Sequence, residues 1–131
     1  MHKGFVTTGA ALGALAVALG AFGAHGLKKI ADAETVQVFQ TGVQYQMYHS
    51  VALLVAGILY EKCSQKLVRI SGILFILGVV LFSGSLYLLT TGRAGGTTSF
   101  DKAGIITPFG GVSFIAGWVF LFLAAIRASK H

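Results

Sequence analysis

The chain has 131 residues, of which 55% are hydrophobic and only 11% charged, with a mean hydropathy of +0.79. These values lie outside the range of an ordinary water-soluble domain. The formal net charge of +6 does not indicate a nucleic-acid binder, because the Lys and Arg residues sit singly or in pairs at the ends of apolar stretches and form no basic, aromatic-interleaved patch.

Four stretches contain no Asp, Glu, Lys or Arg: Gly4–Leu27, Thr35–Tyr60, Ile70–Gly92 and Ala103–Ile126. Each supplies the roughly 20 apolar residues that a helix needs to cross a bilayer core. The expected architecture is an all-α integral membrane four-helix bundle, antiparallel and threaded up-down-up-down. It forms one domain over 1–131, with spans near 5–27, 39–60, 70–91 and 107–126. A soluble helical bundle would show polar faces at a 3.6-residue period, and spans one, three and four are apolar on most faces.

Span one is rich in small residues. Gly9 and Gly13 form a GxxxG pair, and Ala16, Gly20 and Gly23 continue near the same face. Such a groove admits a neighbouring backbone closely, whether from this chain or from a second copy. The run after Lys3 imitates a signal peptide but is long enough to span, so it reads as a retained first helix.

The polar connection Lys28–Glu34 leads into span two, with Asp32 as N-cap and Glu34 in the first turn. This helix is expected from about Ala33 to Tyr60. Its first half carries a stripe of Gln37, Gln40, Thr41, Gln44 and Tyr48, with Tyr45 and His49 beside it and Gln46 projecting away. Cys63, the single cysteine, falls in the next connection and excludes an intramolecular disulfide.

Span three ends in Ser83, Gly84, Ser85, Tyr87, Thr90 and Thr91, followed by a Gly/Thr-rich loop and a short interfacial piece over Asp101–Ile106. Thr107-Pro108, which holds the only proline, reads as N-cap and N1 of span four. Gly110 and Gly111 lie in its first turn, and Ser113 and Gly117 form a small-xxx-small pair. Gly9, Gly13, Gly20, Ser113 and Gly117 are therefore the candidate helix-packing positions.

Alternating threading brings the end of span one, the start of span two, the end of span three and the start of span four to one side of the membrane. The candidate ligand-binding residues follow that order: His25; Gln44, Tyr45, Tyr48 and His49; Ser83, Ser85 and Tyr87; Thr107, Gly110 and Gly111. Either they cross-link the helices by hydrogen bonds, the commoner role of such residues in a span, or they line a recess for a lipid or small amphiphile. Lys3, Lys62, Lys66, Arg69, Arg127 and Lys130 outnumber the four basic residues of the opposite side, which puts the termini in the cytoplasm.

No cofactor or metal is expected. His49 lies about 12 Å deeper than His25, too far apart in depth for two haem ligands, and no carboxylate or cysteine accompanies the histidines within the spans. A non-enzymatic role is favoured over a small catalyst or carrier using His49 with Tyr45, Gln44 and Ser85. The expected partners are membrane lipids and, through a glycine groove, a second copy.

Four motifs then carry a resemblance: Leu19-Gly20-Ala21-Phe22-Gly23-Ala24-His25; Gln40-Thr41-Gly42 with Tyr45-Gln46-x-x-His49; Leu81-Phe82-Ser83-Gly84-Ser85-Leu86-Tyr87; and Thr107-Pro108-x-Gly110-Gly111-Val112-Ser113-Phe114 with Ala116-Gly117-Trp118. Over nearly its whole length the chain resembles the YgdD/YwdK family of small four-span bacterial inner-membrane proteins. The resemblance implies a plasma-membrane location and four helices, and supplies no mechanism.

Overall fold

Four long helices account for most of the computed structural model, which describes residues 1–128: α1 (Lys3–Ala24), α2 (Ala33–Leu59), α3 (Gln65–Ala94) and α4 (Thr107–Ile126). Lys130, counted above among the basic residues near the termini, lies outside the described residues. Single 3₁₀ segments, Leu27–Lys29 and Asp101–Ile105, occupy the first and third connections. No strand occurs among the described residues. α1, α3 and α4, the first and last counted with their adjoining 3₁₀ segments, are long and apolar enough to cross a membrane. α2 is long enough at 27 residues, but the glutamines and His49 of its first half lower its hydropathy, and it does not qualify on composition.

Local chemistry sets the helix starts. The Asp32 carboxylate accepts the Thr35 N–H at 2.7 Å and caps α2, while His2 Nδ1 accepts the Phe5 N–H at 3.1 Å and caps α1. At α4 the expectation needs correcting. Ile106 occupies the N-cap position and Thr107 is the first helical residue. The preceding 3₁₀ turn lets the Ile106 carbonyl receive the Phe109 and Gly110 N–H groups, which frees the Thr107 hydroxyl for another partner.

Within α3 the residues Val79–Ser83 form a π-helical turn, and the Gly84 N–H reaches back to the Val79 carbonyl. Such a widened turn rotates the helix beyond it. Its backbone at Phe82 is also the place where α4 comes closest, since a Cβ on Gly110 would collide with the Phe82 main chain.

The helices pack in two close pairs. Along α1 and α2 the contacts run in opposite chain order: the His2 N–H donates to the Gly57 carbonyl at 2.8 Å, Gly9 faces the Ser50 carbonyl, Gly20 faces Val43 and Gly23 faces Gln40. The neighbour in the span-one groove is therefore α2 of the same chain. Gly9 is the tight point, where a Cβ would stand 2.9 Å from the Ser50 oxygen; at Gly13 the nearest atom would be 3.9 Å away.

Along α3 and α4 the order also reverses, through Ser71 with Gly117, Leu74 with Ser113, Gly78 with Phe114, Phe82 with Gly110 and Ser85 with Thr107. α2 joins the pairs, touching α3 at Gly42 and α4 at His49. An apolar core of Phe5, Leu53, Ala56, Cys63, Val68 and Ala124 fills the end near the N-terminus, and a second of Ala16, Leu27, Phe39 and Val43 lies toward the other.

Candidate functional site

The polar residues of the helix interiors form a set of cross-links, most of which end on a backbone carbonyl. A helix already uses its carbonyls once, but each has a second lone pair, so a small hydroxyl from a neighbouring helix finds an acceptor wherever the backbones lie close. Ser83 Oγ donates to the Gly42 carbonyl at 2.6 Å, Ser71 Oγ to the Gly117 carbonyl at 2.7 Å and Ser113 Oγ to the Leu74 carbonyl at 2.7 Å. Ser85 and Thr107 share a hydroxyl–hydroxyl bond, joining the start of α4 to α3.

Gln46 is the hub of the first three helices. It is 1% exposed. Its Nε2 donates to the Leu12 carbonyl of α1 at 2.8 Å, and its Oε1 accepts the Tyr87 hydroxyl of α3 at 2.7 Å. Gln46 projects away from the stripe, as expected, and the side it projects to is the interior of the bundle, for a reason visible in the packing. The α2 face that meets α1 and α3 carries the small residues Gly42, Ser50 and Gly57, and Gln46 lies among them. The polar stripe points the other way: Gln37, Gln44 and Tyr48 are exposed. Gln40 alone of the stripe's glutamines turns inward, giving its Nε2–H to the Gly20 carbonyl at 3.1 Å.

His49 faces α4 from α2, 4% exposed, with its ring stacked on Phe114 at 3.5 Å between centroids and tilted against Phe75 at 5.5 Å. Trp118 Nε1–H donates to His49 Nε2 at 3.0 Å. An indole nitrogen only donates, so Nε2 must be the bare acceptor of a neutral imidazole. The ring proton then lies on Nδ1, 2.7 Å from the Tyr45 carbonyl that receives it. Both nitrogens are engaged and neither faces a serine. Ser83 and Ser85 spend their protons elsewhere, so the Ser–His pair that hydrolysis would require is not assembled.

The remaining sequence candidates scatter. The Tyr45 ring packs against Phe82 at 4.6 Å. Tyr87 covers Gly42 and leans on Phe39. His25 is exposed at the C-cap of α1. Gly110 is buried against Phe82, whereas a Cβ on Gly111 would meet open space. Gly9, Gly20, Ser113 and Gly117 lie at helix contacts, with Gly13 looser. Sequence reasoning missed Gln46, Ser71 and Trp118. Ser71 and Trp118 carried no local signal, because their partners lie 46 and 69 positions away.

A separate polar cleft of about 360 Å³ opens between the first and third connections, walled by Asp32, Thr35, Arg93, Thr98 and Asp101. Hydrogen bonds from the Thr35 hydroxyl and then its backbone N–H, with the Arg93 charge beyond, hold the Asp32 carboxyl below its usual value.

Three helices long and apolar enough to cross a membrane, with interior polar groups paired with one another and with the backbone, have the pattern of a helical membrane protein. Residues 19–111 match the family described as "Protein of unknown function (DUF423)". The chain is 47% identical to the UPF0382 membrane protein YwdK of Bacillus subtilis over 127 residues, covering 95% of this chain and 98% of that one. It is 39% identical to the UPF0382 inner membrane protein YgdD of Escherichia coli over 118 residues, 90% and 86% of the two chains. A UPF0382 membrane protein of Haemophilus influenzae is 35% identical over 133 residues, 99% of each. No solved structure matches. The chain belongs to the DUF423 family of membrane proteins.

Proposed function

We propose that the protein is a four-span component of the bacterial plasma membrane, threaded up-down-up-down with both termini in the cytoplasm, whose interior polar residues cement the helices and neither catalyse a reaction nor hold a ligand. The reversed contact order along each helix pair supports the threading. The N-terminal amine, 3.1 Å from Glu61, supports placing the N-terminus and the α2–α3 connection on one side, and the excess of Lys and Arg there supports a cytoplasmic location. α2 serves as the fourth span because its buried polar groups are paired with neighbouring helices, which lowers their cost in a bilayer.

The doubly bonded His49 carries the cementing role. An imidazole whose two nitrogens meet a carbonyl and an indole has no free valence for a substrate or metal. Native mass spectrometry of the wild type and of Trp118→Phe and His49→Leu tests the reading, alongside unfolding in detergent. Lower stability with unchanged retained lipid supports cementing. A variant that melts normally but loses a specific bound molecule overturns it. Reporter fusions at the C-terminus and in the 95–100 loop test the threading, and must report opposite sides.

A further inference from the structure

The outward face of α2 differs from every other outer surface of the protein. Its exposed and half-exposed residues Gln37, Thr41, Gln44, Tyr48, Val51, Val55 and Ile58 follow a strict alternation of four and three positions along the helix. Tyr48, Val51 and Ile58 are each more than half exposed. The spacing is that of a single helix face and suits a seam at which two helices interlock side chains. The outer face of α4 has the same spacing, and what sets the α2 face apart is its polar half, Gln37, Gln44 and Tyr48. The outer face of α4, by contrast, offers Val112, Ile115, Val119 and Phe122, and that of α1 offers alanines with Leu15 and Val17. Those faces suit acyl chains.

The α2 face does not. With the span beginning near Phe39, Gln44 lies about 8 Å inside the hydrocarbon and the Tyr48 ring about 14 Å inside. The Gln37 and Gln44 amides and the Tyr48 hydroxyl have no hydrogen-bond partner among the described residues, although each buried polar side chain there has one. A lipid-facing amide forfeits its bonds to water and receives nothing in return.

We propose that two copies of the chain associate through this seam, α2 against α2 about a two-fold axis along the membrane normal. The occupant follows from the chemistry of the face. Copies inserted with the same threading meet parallel, so each seam position faces its own counterpart. A glutamine amide carries both a donor and an acceptor and bonds its own copy, as does a tyrosine hydroxyl. The seam holds no charged residue that would repel its copy, and Val51, Val55 and Ile58 complete an apolar half. The glycine groove of α1 is already filled by α2 of the same chain, which leaves this face as the one that carries an unpaired glutamine amide, that of Gln44, at membrane depth among the described residues. The inference rests on the four-span reading.

Cysteine cross-linking in native membranes tests it. In a Cys63→Ser background, Gln44→Cys, Tyr48→Cys and Val51→Cys should each give a disulfide-linked dimer under mild oxidation. Ala14→Cys on α1 and Ile115→Cys on α4 should not. In detergent the wild type should have the mass of two chains, and Gln44→Leu should weaken the dimer by roughly 3- to 30-fold. Equal cross-linking at the control positions, a monomer with no seam cross-link, or seam cysteines that capture a different polypeptide each overturn the dimer while leaving the four-span reading intact. Release of the protein by an alkaline carbonate wash overturns the membrane reading, and the dimer with it.

Discussion

Trp118 donates its indole N–H to His49 Nε2 at 3.0 Å, across 69 positions of sequence. The bond determines which nitrogen of the buried imidazole is bare, and so decides that the proton of the other goes to the Tyr45 carbonyl. A residue whose sequence left ligand contact and structural hydrogen bond equally open thus has both ring nitrogens hydrogen-bonded, one of them across the α2–α4 contact.

Replacing Trp118 with Phe keeps most of the packing on Phe75 but leaves Nε2 unpaired. The expected cost is about 1–2 kcal/mol, read from reversible unfolding in mixed micelles. A double-mutant cycle with His49→Leu should return a coupling of about 0.6–1.7 kcal/mol. Additive losses would show that the pair is not coupled.

Gln46 and Gln44 give an internal contrast two residues apart. Gln46→Leu severs the bonds to Leu12 and Tyr87 and should lower monomer stability by about 1–3 kcal/mol. Gln44→Leu, on the outer face, should leave monomer stability unchanged. The measurement is unfolding of both variants at protein concentrations below dimer formation.

Gly110 and Gly111 should also part company. Gly110→Ala drives a methyl into the Phe82 main chain, so α3 and α4 must separate, and yield or melting temperature should fall sharply. Gly111→Ala meets open space and should stabilise α4 by about 0.5–1 kcal/mol through helix propensity. Gly9→Ala and Gly13→Ala should repeat the contrast on α1, with Gly9 the costly site.

Asp32 ties the start of α2 to pH. Its carboxyl binds a proton less tightly folded than unfolded, so its contribution is present above the ordinary carboxylate value. It is lost as pH falls through the lowered folded value, in the region below about pH 4. Hydrogen exchange at the Thr35 amide should accelerate over that range. Asp32→Asn should keep a cap and abolish the dependence.

Capping and turn chemistry act over a few residues, and for that reason α2 was legible to within a residue, from Asp32 and Glu34 to Tyr60. The start of α4 was less so. Pro108 marked it correctly, but the 3₁₀ turn ahead of it displaced the cap from Thr107 to Ile106. The larger error concerned orientation about the helix axis. Grouping Gln37, Gln44 and Tyr48 as a polar stripe says that they share a face. It does not say which way that face turns. Small residues decided that, since Gly42, Ser50 and Gly57 admit the neighbouring backbones and carry Gln46 inward with them. The partners of Ser71 and Trp118 depend on how α3 and α4 meet, which no local pattern encodes.

The two close pairs, α1 with α2 and α3 with α4, are each contiguous in sequence and joined to each other by the short segment around Cys63. On the four-span reading, a nascent chain can therefore complete its first hairpin while the second is still on the ribosome, so that two modest units insert in succession. The same division makes the Lys62–Ser64 junction a natural place to cut: halves synthesised as separate polypeptides should find each other in the membrane and reconstitute the whole.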